Sequence, residues 1–104
     1  MFGRNGNRGV RMKHYIIAKF KPEYDWKGAL GDIKALFDKT LELEGVSEVL
    51  IKESNSDRSN RAHLMIEMHL TKEGLNNFDA SLVHSTWKQQ YGEMIEAKTI
   101  FDCE

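Results

Sequence analysis

The first strongly patterned segment runs from Met12 to Lys21 and alternates between two sets of side chains. A period of two residues is typical of a β-strand, in which successive side chains point to opposite faces of the sheet. Pro22 ends the segment, because proline has no backbone N–H to donate to a neighbouring strand. The pattern predicts a strand with one face toward the helices, and that face carries Met12, His14, Ile16, Ala18 and Phe20.

A helix is predicted next, between the capping residue Asp25 and the terminating residue Gly45. Aspartate side chains accept hydrogen bonds from the first backbone N–H groups of a helix, and glycine tolerates the positive φ that often ends one. The apolar residues in between recur at three and four positions, as they do on the buried face of a helix. These residues are Trp26, Leu30, Ile33, Phe37 and Leu41.

Two further strands follow, joined by a solvated loop. Val46 to Lys52 has β-branched character, residues 53–60 are polar or charged, and the segment from Arg61 to Leu70 alternates again. Alternation and β-branched residues both favour strands. The core face of the third strand is predicted to carry Ala62, Leu64, Ile66, Met68 and Leu70.

The last third of the chain predicts two helices and a strand. A short helix covers Lys72 to Phe78, another begins at Ser81, and a strand covers Ala97 to Cys103. The second of these helices has an apolar stripe at helical spacing, formed by Val83, Trp87, Tyr91 and Met94. The order βαββααβ, with two helical crossovers over an antiparallel sheet, predicts a ferredoxin-like α+β fold.

Helices on one side of a four-stranded sheet leave its other face open. We expect that face to be too apolar to stay wet in a small monomer. A second copy packed sheet to sheet would cover it, which predicts a two-fold homodimer, a dimeric α/β barrel. The residues assigned to this face are Tyr15, Ile17, Ser47, Val49, Ile51, Met65 and Ile100.

The chain of 104 residues is expected to form one domain, residues 12–104, after a disordered tail of residues 1–11. The tail contains three Gly, three Arg and no acidic residue, so it has little to bury. It could tether the protein to an anionic surface, but we interpret it as an expression tag or a misassigned start. Met12 would then be the natural first residue.

Charge and cysteine content exclude several classes of partner and setting. The net charge is −1, and only the tail is basic, so nucleic acid is not an expected partner. The longest apolar run is far too short to span a bilayer, so no membrane association is expected. Cys103 is the only cysteine, which excludes an internal disulfide and favours a cytoplasmic location.

Several segments together resemble the Dabb domain, the stress-responsive dimeric A/B barrel. The opening segment from Met12 to Pro22 resembles the start of that domain, and Glu44-Gly45-Val46 resembles its helix-to-strand turn. The spacing from His84 to Asp102 agrees with the family pattern without a gap. The resemblance covers residues 12–104, and its closing half consists of Glu73 to Phe78, Ser81 to His84 and Ile100 to Asp102.

The resemblance implies a small cavity between helices and sheet in addition to the fold and the dimer. In one plant branch of the family, the polyketide cyclases, a histidine at the position of His84 and a tyrosine six residues earlier are the proposed acid–base pair. A histidine at the position of His14 lines the same cavity. This chain differs at two positions: it has Phe78 in place of the tyrosine and Ser81 in place of the first histidine of the usual His-Pro-x-His.

His84 is therefore the candidate catalytic residue. The positive end of a helix dipole disfavours imidazolium, so a histidine in the first helical turn tends to stay neutral and basic. The alternative is a histidine bonded to a backbone carbonyl at a helix junction. His14 is either a satisfied core histidine or a second polar group in the cavity, and the candidate ligand-binding residues are His14, Phe78, Trp87 and Tyr91.

No metal ion and no cofactor are expected. His63, Glu67 and His69 share one face of the third strand, but spacings of four and two residues separate the end residues by more than ~10 Å. One chain could not bring all three to one ion, and only a site made by the symmetry of the dimer stays open. Two functions remain open. The protein is a homodimer that binds a small molecule without an assigned activity, or it is a cofactor-independent enzyme, a lyase similar to the polyketide cyclases, with His84 as general base.

Overall fold

The computed structural model describes residues 10–104, so the prediction for residues 1–9 lies outside the described residues. Val10 and Arg11 are exposed and lie outside helices and strands. The strands and helices occur in the predicted order βαββααβ. They are β1 (Met12–Phe20), α1 (Trp26–Asp38), β2 (Val46–Glu53), β3 (Leu64–Leu70), α2 (Lys72–Asp79), α3 (Leu82–Tyr91) and β4 (Ile95–Cys103).

The four strands form one antiparallel sheet in the order β2-β3-β1-β4, which confirms the ferredoxin-like α+β prediction. The helices cover one face of this sheet, which we call the helix side. The other face is called the outer face. The side chains predicted for the helix side of β1 and β3 lie in the core, and the most deeply buried of them are Ile16, Ala18, Phe20, Leu64, Ile66, Met68 and Leu70.

The first helix begins as predicted but ends differently. The Asp25 carboxylate accepts the backbone N–H of Gly28 at 3.0 Å, and Gly45 adopts a positive φ of 92°. Between them the helix changes at Lys39–Glu42 into a 3-10 turn. Because a 3-10 turn has three residues per turn, it rotates Leu41 off the apolar stripe. Leu41 is 45% exposed, so its assignment to the buried face was wrong.

Strand β2 carries a register shift that reverses part of the prediction for the outer face. The shift lies between Val46 and Glu48, and beyond it Val49 pairs with Met68 and Ile51 with Ile66. Residues paired across antiparallel strands point to the same face. Val49 and Ile51 therefore pack on the helix side, against the core. Leu50, opposite Glu67, takes their place on the outer face.

Strand β4 gives a second correction. Ile100 pairs with Ile16 and so lies on the helix side, whereas Phe101 pairs with Tyr15 on the outer face. The Phe101 side chain is 56% exposed, and its ring centroid lies 6.3 Å from that of Tyr15. The apolar surface of the outer face is thus formed by Tyr15, Ile17, Leu50, Met65 and Phe101.

Within residues 10–104, no helix has the length and hydrophobicity that a membrane crossing requires.

Candidate functional site

His14 and His84 line one cavity of about 280 Å³ between the helix side of the sheet and helices α2 and α3. Its apolar wall consists of Ile16, Leu75, Phe78, Trp87 and Ile100. Four charged residues complete the lining, namely Asp79, Lys88, Lys98 and Asp102. A hollow of about 370 Å³ lies on the other side of Asp102, but it contains neither histidine. We therefore place the candidate site in the smaller cavity.

His14 is paired with a carboxylate. Its Nδ1 lies 2.6 Å from Oδ1 of Asp102, because β1 and β4 pair these two residues directly opposite each other. His14 is only 5% exposed. A carboxylate accepts hydrogen bonds, so the proton of the neutral ring resides on Nδ1 and the lone pair on Nε2. This arrangement prepares His14 to accept or share a proton at Nε2.

His84 lies in the first turn of α3, as the sequence predicted. Ser81 caps this helix by accepting the backbone N–H of His84 at 3.2 Å. Burial lowers the pKa of His84 below 6.5, and the nearby charges of Lys88 and Lys98 lower it further. The Asp79 charge and a hydrogen bond to the Asp79 backbone oppose this shift. The net result is a neutral imidazole at pH 7, which can act as a base.

Phe78 lies between the two histidines. Its ring centroid is 5.0 Å from that of His84, in an edge-on arrangement, and 5.8 Å from that of His14. The side chain is fully buried. A phenyl ring offers no proton and no hydrogen bond, so the side chain between the two histidines is purely hydrophobic.

Of the three other residues predicted to bind a ligand, two line the cavity and one does not. Phe78 and Trp87 both line it. Tyr91 does not contribute to the lining: it packs on Trp87 with ring centroids 5.5 Å apart. Burial, together with the negative charge of Asp32 on α1, raises the pKa of Tyr91 above 10. Tyr91 is thus a buried phenol on the side of α3 that faces α1.

Sequence reasoning did not identify Asp102 as a partner of His14. Lys88, Lys98 and Asp79 were not identified either. The signal for Asp102 was its position in a strand predicted to lie beside β1, but only the register of that pairing places it opposite His14. Lys98 lies on the same face of β4, four residues before Asp102 and opposite Ala18.

His63 does not share a site with Glu67 and His69, although the sequence placed all three on one strand face. His63 lies just before β3, which begins at Leu64 rather than at the predicted Arg61. It stacks on Trp26 with ring centroids 5.1 Å apart, while its Nδ1 accepts the backbone N–H of Phe20. His69 and Glu67 remain on the outer face, 2.6 Å apart. In residues 10–104, no group of three or more His, Cys, Asp or Glu side chains is placed to hold a metal ion.

No protein-family model and no curated protein matches this sequence. Solved structures share its fold. A dimeric ferredoxin-like protein of unknown function from Thermobifida fusca superposes with a TM-score of 0.76 at 7% identity, over 91% of each chain. A hydroxynitrile lyase from Passiflora edulis superposes with a TM-score of 0.70 at 13% identity, over 88% of this chain and 90% of its own.

A protein of the Dabb family from Mesorhizobium loti, itself described as having a ferredoxin-like fold, gives a TM-score of 0.70 at 14% identity. The match covers 90% of this chain and 95% of the other. At such identities the likeness concerns the fold, and it agrees with the resemblance found in the sequence. The chain has the ferredoxin-like fold found in the Dabb family, which it resembles in the order and the geometry of its elements.

Proposed function

We propose that this protein is a homodimer that binds a small molecule in the cavity between its helices and its sheet. The observation that carries the proposal is the convergence of His14 and His84 on one cavity of about 280 Å³. Ligand sites combine an apolar wall with polar groups that fix the orientation of the ligand, and this cavity is lined by five apolar and six polar or charged residues. Its volume is suited to a ligand of one or two rings.

The outer face supports the dimer. It exposes Tyr15, Ile17, Leu50, Met65 and Phe101 on a domain too small to leave so much apolar surface in water. The Thermobifida fusca protein of the same fold is described as dimeric. A two-fold axis through this face would cover the apolar residues of both copies.

A second candidate function is cofactor-independent proton transfer, as in a lyase similar to the polyketide cyclases. Two observations favour it: the lowered pKa of His84 and the pairing of His14 with Asp102 at 2.6 Å. His84 would take a proton from a carbon or oxygen of the ligand. His14, held by Asp102, would first take a proton from solvent at Nε2 and would then polarise or reprotonate the ligand on the other side of Phe78, while the proton taken by His84 leaves to solvent. A hydroxynitrile lyase from Passiflora edulis has the same fold, which supports the proposal of a lyase activity.

Both candidates operate without a metal or a redox cofactor. The single thiol, Cys103, suits a reducing cytoplasm, and we include that location in the proposal.

The binding proposal is tested by titrating the protein with a library of small one-ring and two-ring compounds while its amide resonances are recorded by NMR. Bound compounds should shift resonances of α2, the start of α3 and β4. His14→Ala and His84→Ala should weaken the binding of those compounds. His63→Gln is the matched control, because His63 stacks on Trp26 outside the cavity. Compounds that shift only residues away from the cavity would contradict the proposal.

Proton transfer is distinguished from simple binding by isotope exchange. A compound with an acidic C–H that binds in the cavity is incubated with the protein in D₂O. An enzyme with His84 as base should exchange that hydrogen, and His84→Ala should abolish the exchange. A binding protein should leave the hydrogen in place although the compound is bound.

A further inference from the structure

Two lysines reach the cavity from opposite elements. Lys88 lies in the last turn of α3, and Lys98 lies on β4, opposite Ala18 and therefore on the helix side of the sheet. Both are exposed and both line the cavity.

Neither lysine is neutralised by a carboxylate. In the part of the chain from residue 10 to 104, no acidic side chain lies within 4.0 Å of either ammonium nitrogen, whereas the neighbouring Lys19 is paired with Glu96 at 3.2 Å. Of the two carboxylates in the cavity, Asp102 is occupied by His14. Neither Asp79 nor Asp102 lies within 4.0 Å of a lysine ammonium nitrogen, so both lysines remain available to a negatively charged ligand.

The wall behind the lysines is apolar and partly aromatic. Phe78 and Trp87 contribute ring surface, and both are almost completely buried. Ile16 and Ile100, which pair across β1 and β4, form the floor. The aromatic ring of a ligand would lie against these apolar side chains, and a charged group on that ring would lie near the two lysines.

We propose that the cavity binds a planar organic anion, whose carboxylate lies between Lys88 and Lys98 and whose ring lies against Phe78 and Trp87. This inference rests on the proposed binding function and adds the class of ligand. The two lysines are the residues that determine specificity. They distinguish an acid from the neutral amide of the same shape, because only the acid has a negative charge to offer them.

The effect on His84 agrees with this assignment. Burial is the largest influence on the pKa of His84 and lowers it, while Asp79 opposes this shift. The charges of Lys88 and Lys98 lower the pKa as well, so both lysines lie close enough to affect the ring. A bound anion would offset those charges. Binding of the acid should therefore be accompanied by proton uptake as the pH approaches the pKa of His84.

The test compares 1-naphthoate and benzoate with the corresponding amides by isothermal titration calorimetry and NMR. Each acid should bind more tightly than its amide. Lys88→Met and Lys98→Met should each weaken naphthoate by about threefold to fivefold, the range of a partly exposed ion pair. The double substitution should weaken it by about tenfold or more while changing naphthamide by less than about twofold. Added salt should weaken only the acids.

Lys34→Met is the matched control, because Lys34 lies on the exposed side of α1 and does not line the cavity. It should leave both affinities unchanged. Equal binding of acids and amides, with no response to either cavity lysine, would overturn the anion assignment but leave the proposed binding function intact. If neither acids nor amides bind in the cavity, while other compounds do, the assignment also fails. If no compound binds there at all, the proposed function fails with it.

Discussion

The backbones of Gly45 and Gly74 are in direct contact, where the turn between Glu42 and β2 meets the first turn of α2. Gly45 has a φ of 92°, and its carbonyl oxygen accepts the backbone N–H of Thr71 at 2.8 Å. Thr71 in turn caps α2 by accepting the N–H of Gly74 at 3.0 Å. A Cβ atom on either glycine would overlap the backbone of the other. The contact holds the start of α2 against the turn that contains Gly45. It therefore also positions Leu75 and Phe78, the cavity residues of α2.

Gly74→Ala should therefore destabilise the protein. The added methyl group would collide with the carbonyl group of Gly45, and overpacking of this kind costs about 1–3 kcal/mol. Gly31→Ala is the matched control: it lies in α1 with nothing within 4 Å of its added Cβ, so it should be neutral or stabilising by about 0.5–1 kcal/mol. Thermal and urea unfolding measure both. Equal stability of the two variants would show that the contact is not close.

Ile17→Lys should convert the proposed dimer into a monomer. Burial of an Ile side chain contributes about 1.5–3 kcal/mol, and the variant also places a charge on the outer face. Leu82→Lys serves as control, since Leu82 is 80% exposed on α3 and away from the outer face. Light scattering at micromolar concentration reports the mass of each variant. A wild-type monomer, or an Ile17→Lys dimer, would refute the proposed interface.

His84 should make the protein less stable in mild acid. Its pKa is lowered in the folded state, mainly by burial, so below about pH 6.5 the unfolded chain binds the proton more readily. Stability should fall as the pH drops from 6.5 to the folded pKa of His84 and then stop responding to this group. His84→Asn should show a shallower decline over that interval, measured by urea unfolding at fixed protein concentration. Parallel curves would contradict the assigned shift.

Glu67 should act in the opposite direction and at lower pH. The hydrogen bond from His69 is the largest influence on Glu67 and lowers its pKa below 4.5; burial opposes this, and Lys52 adds to it. The stabilisation is present above pH 4.5 and is lost as the pH falls through the folded pKa. Glu67→Gln should remove this acid-sensitive component. His69→Asn should remove most of it too, and a double-mutant cycle in which the two effects add independently would contradict the coupling.

Phe78 should prevent tyrosine-assisted cyclisation. Such chemistry needs one group to take a proton and another to polarise or reprotonate an oxygen, each contributing about 10²–10⁴-fold. His84 can supply the first, but Phe78 stands where the phenol would be. The purified protein should not cyclise a linear polyketide thioester. Phe78→Tyr should gain activity that His84→Ala removes, whereas turnover by the unaltered protein would assign the second role to His14.

The sequence predicted best what depends on local pattern. The alternation of β1 placed His14, Ile16, Ala18 and Phe20 correctly, and the caps Asp25 and Ser81 marked two helix starts. It failed where a face depends on register. A shift between Val46 and Glu48 moves Val49 and Ile51 to the helix side, because a slip of one residue reverses every side chain that follows.

The candidate site shows the same division. His84 was identified from the resemblance to the Dabb domain and from its position in the first turn of a helix, both of which depend on neighbouring residues in the sequence. The partner of His14 was not, because only the pairing of β1 with β4 brings Asp102 within 2.6 Å. Lys88 and Lys98 carry no local signal, since an exposed lysine on a helix or an edge strand is ordinary in any soluble domain.

The pair His14–Asp102 joins the first strand of the domain to the last, across 88 positions of sequence. Strand β4 lies at the edge of the sheet, pairs only with β1 among the described strands, and keeps most of its side chains exposed. In a single copy, an edge strand with so little burial should open at a lower free energy than the core strands beside it. Each such opening would separate Asp102 and Lys98 from the histidines and dismantle the cavity while β1, β2 and β3 stay folded. Ligand residence time should therefore follow the opening rate of one strand rather than the unfolding of the domain.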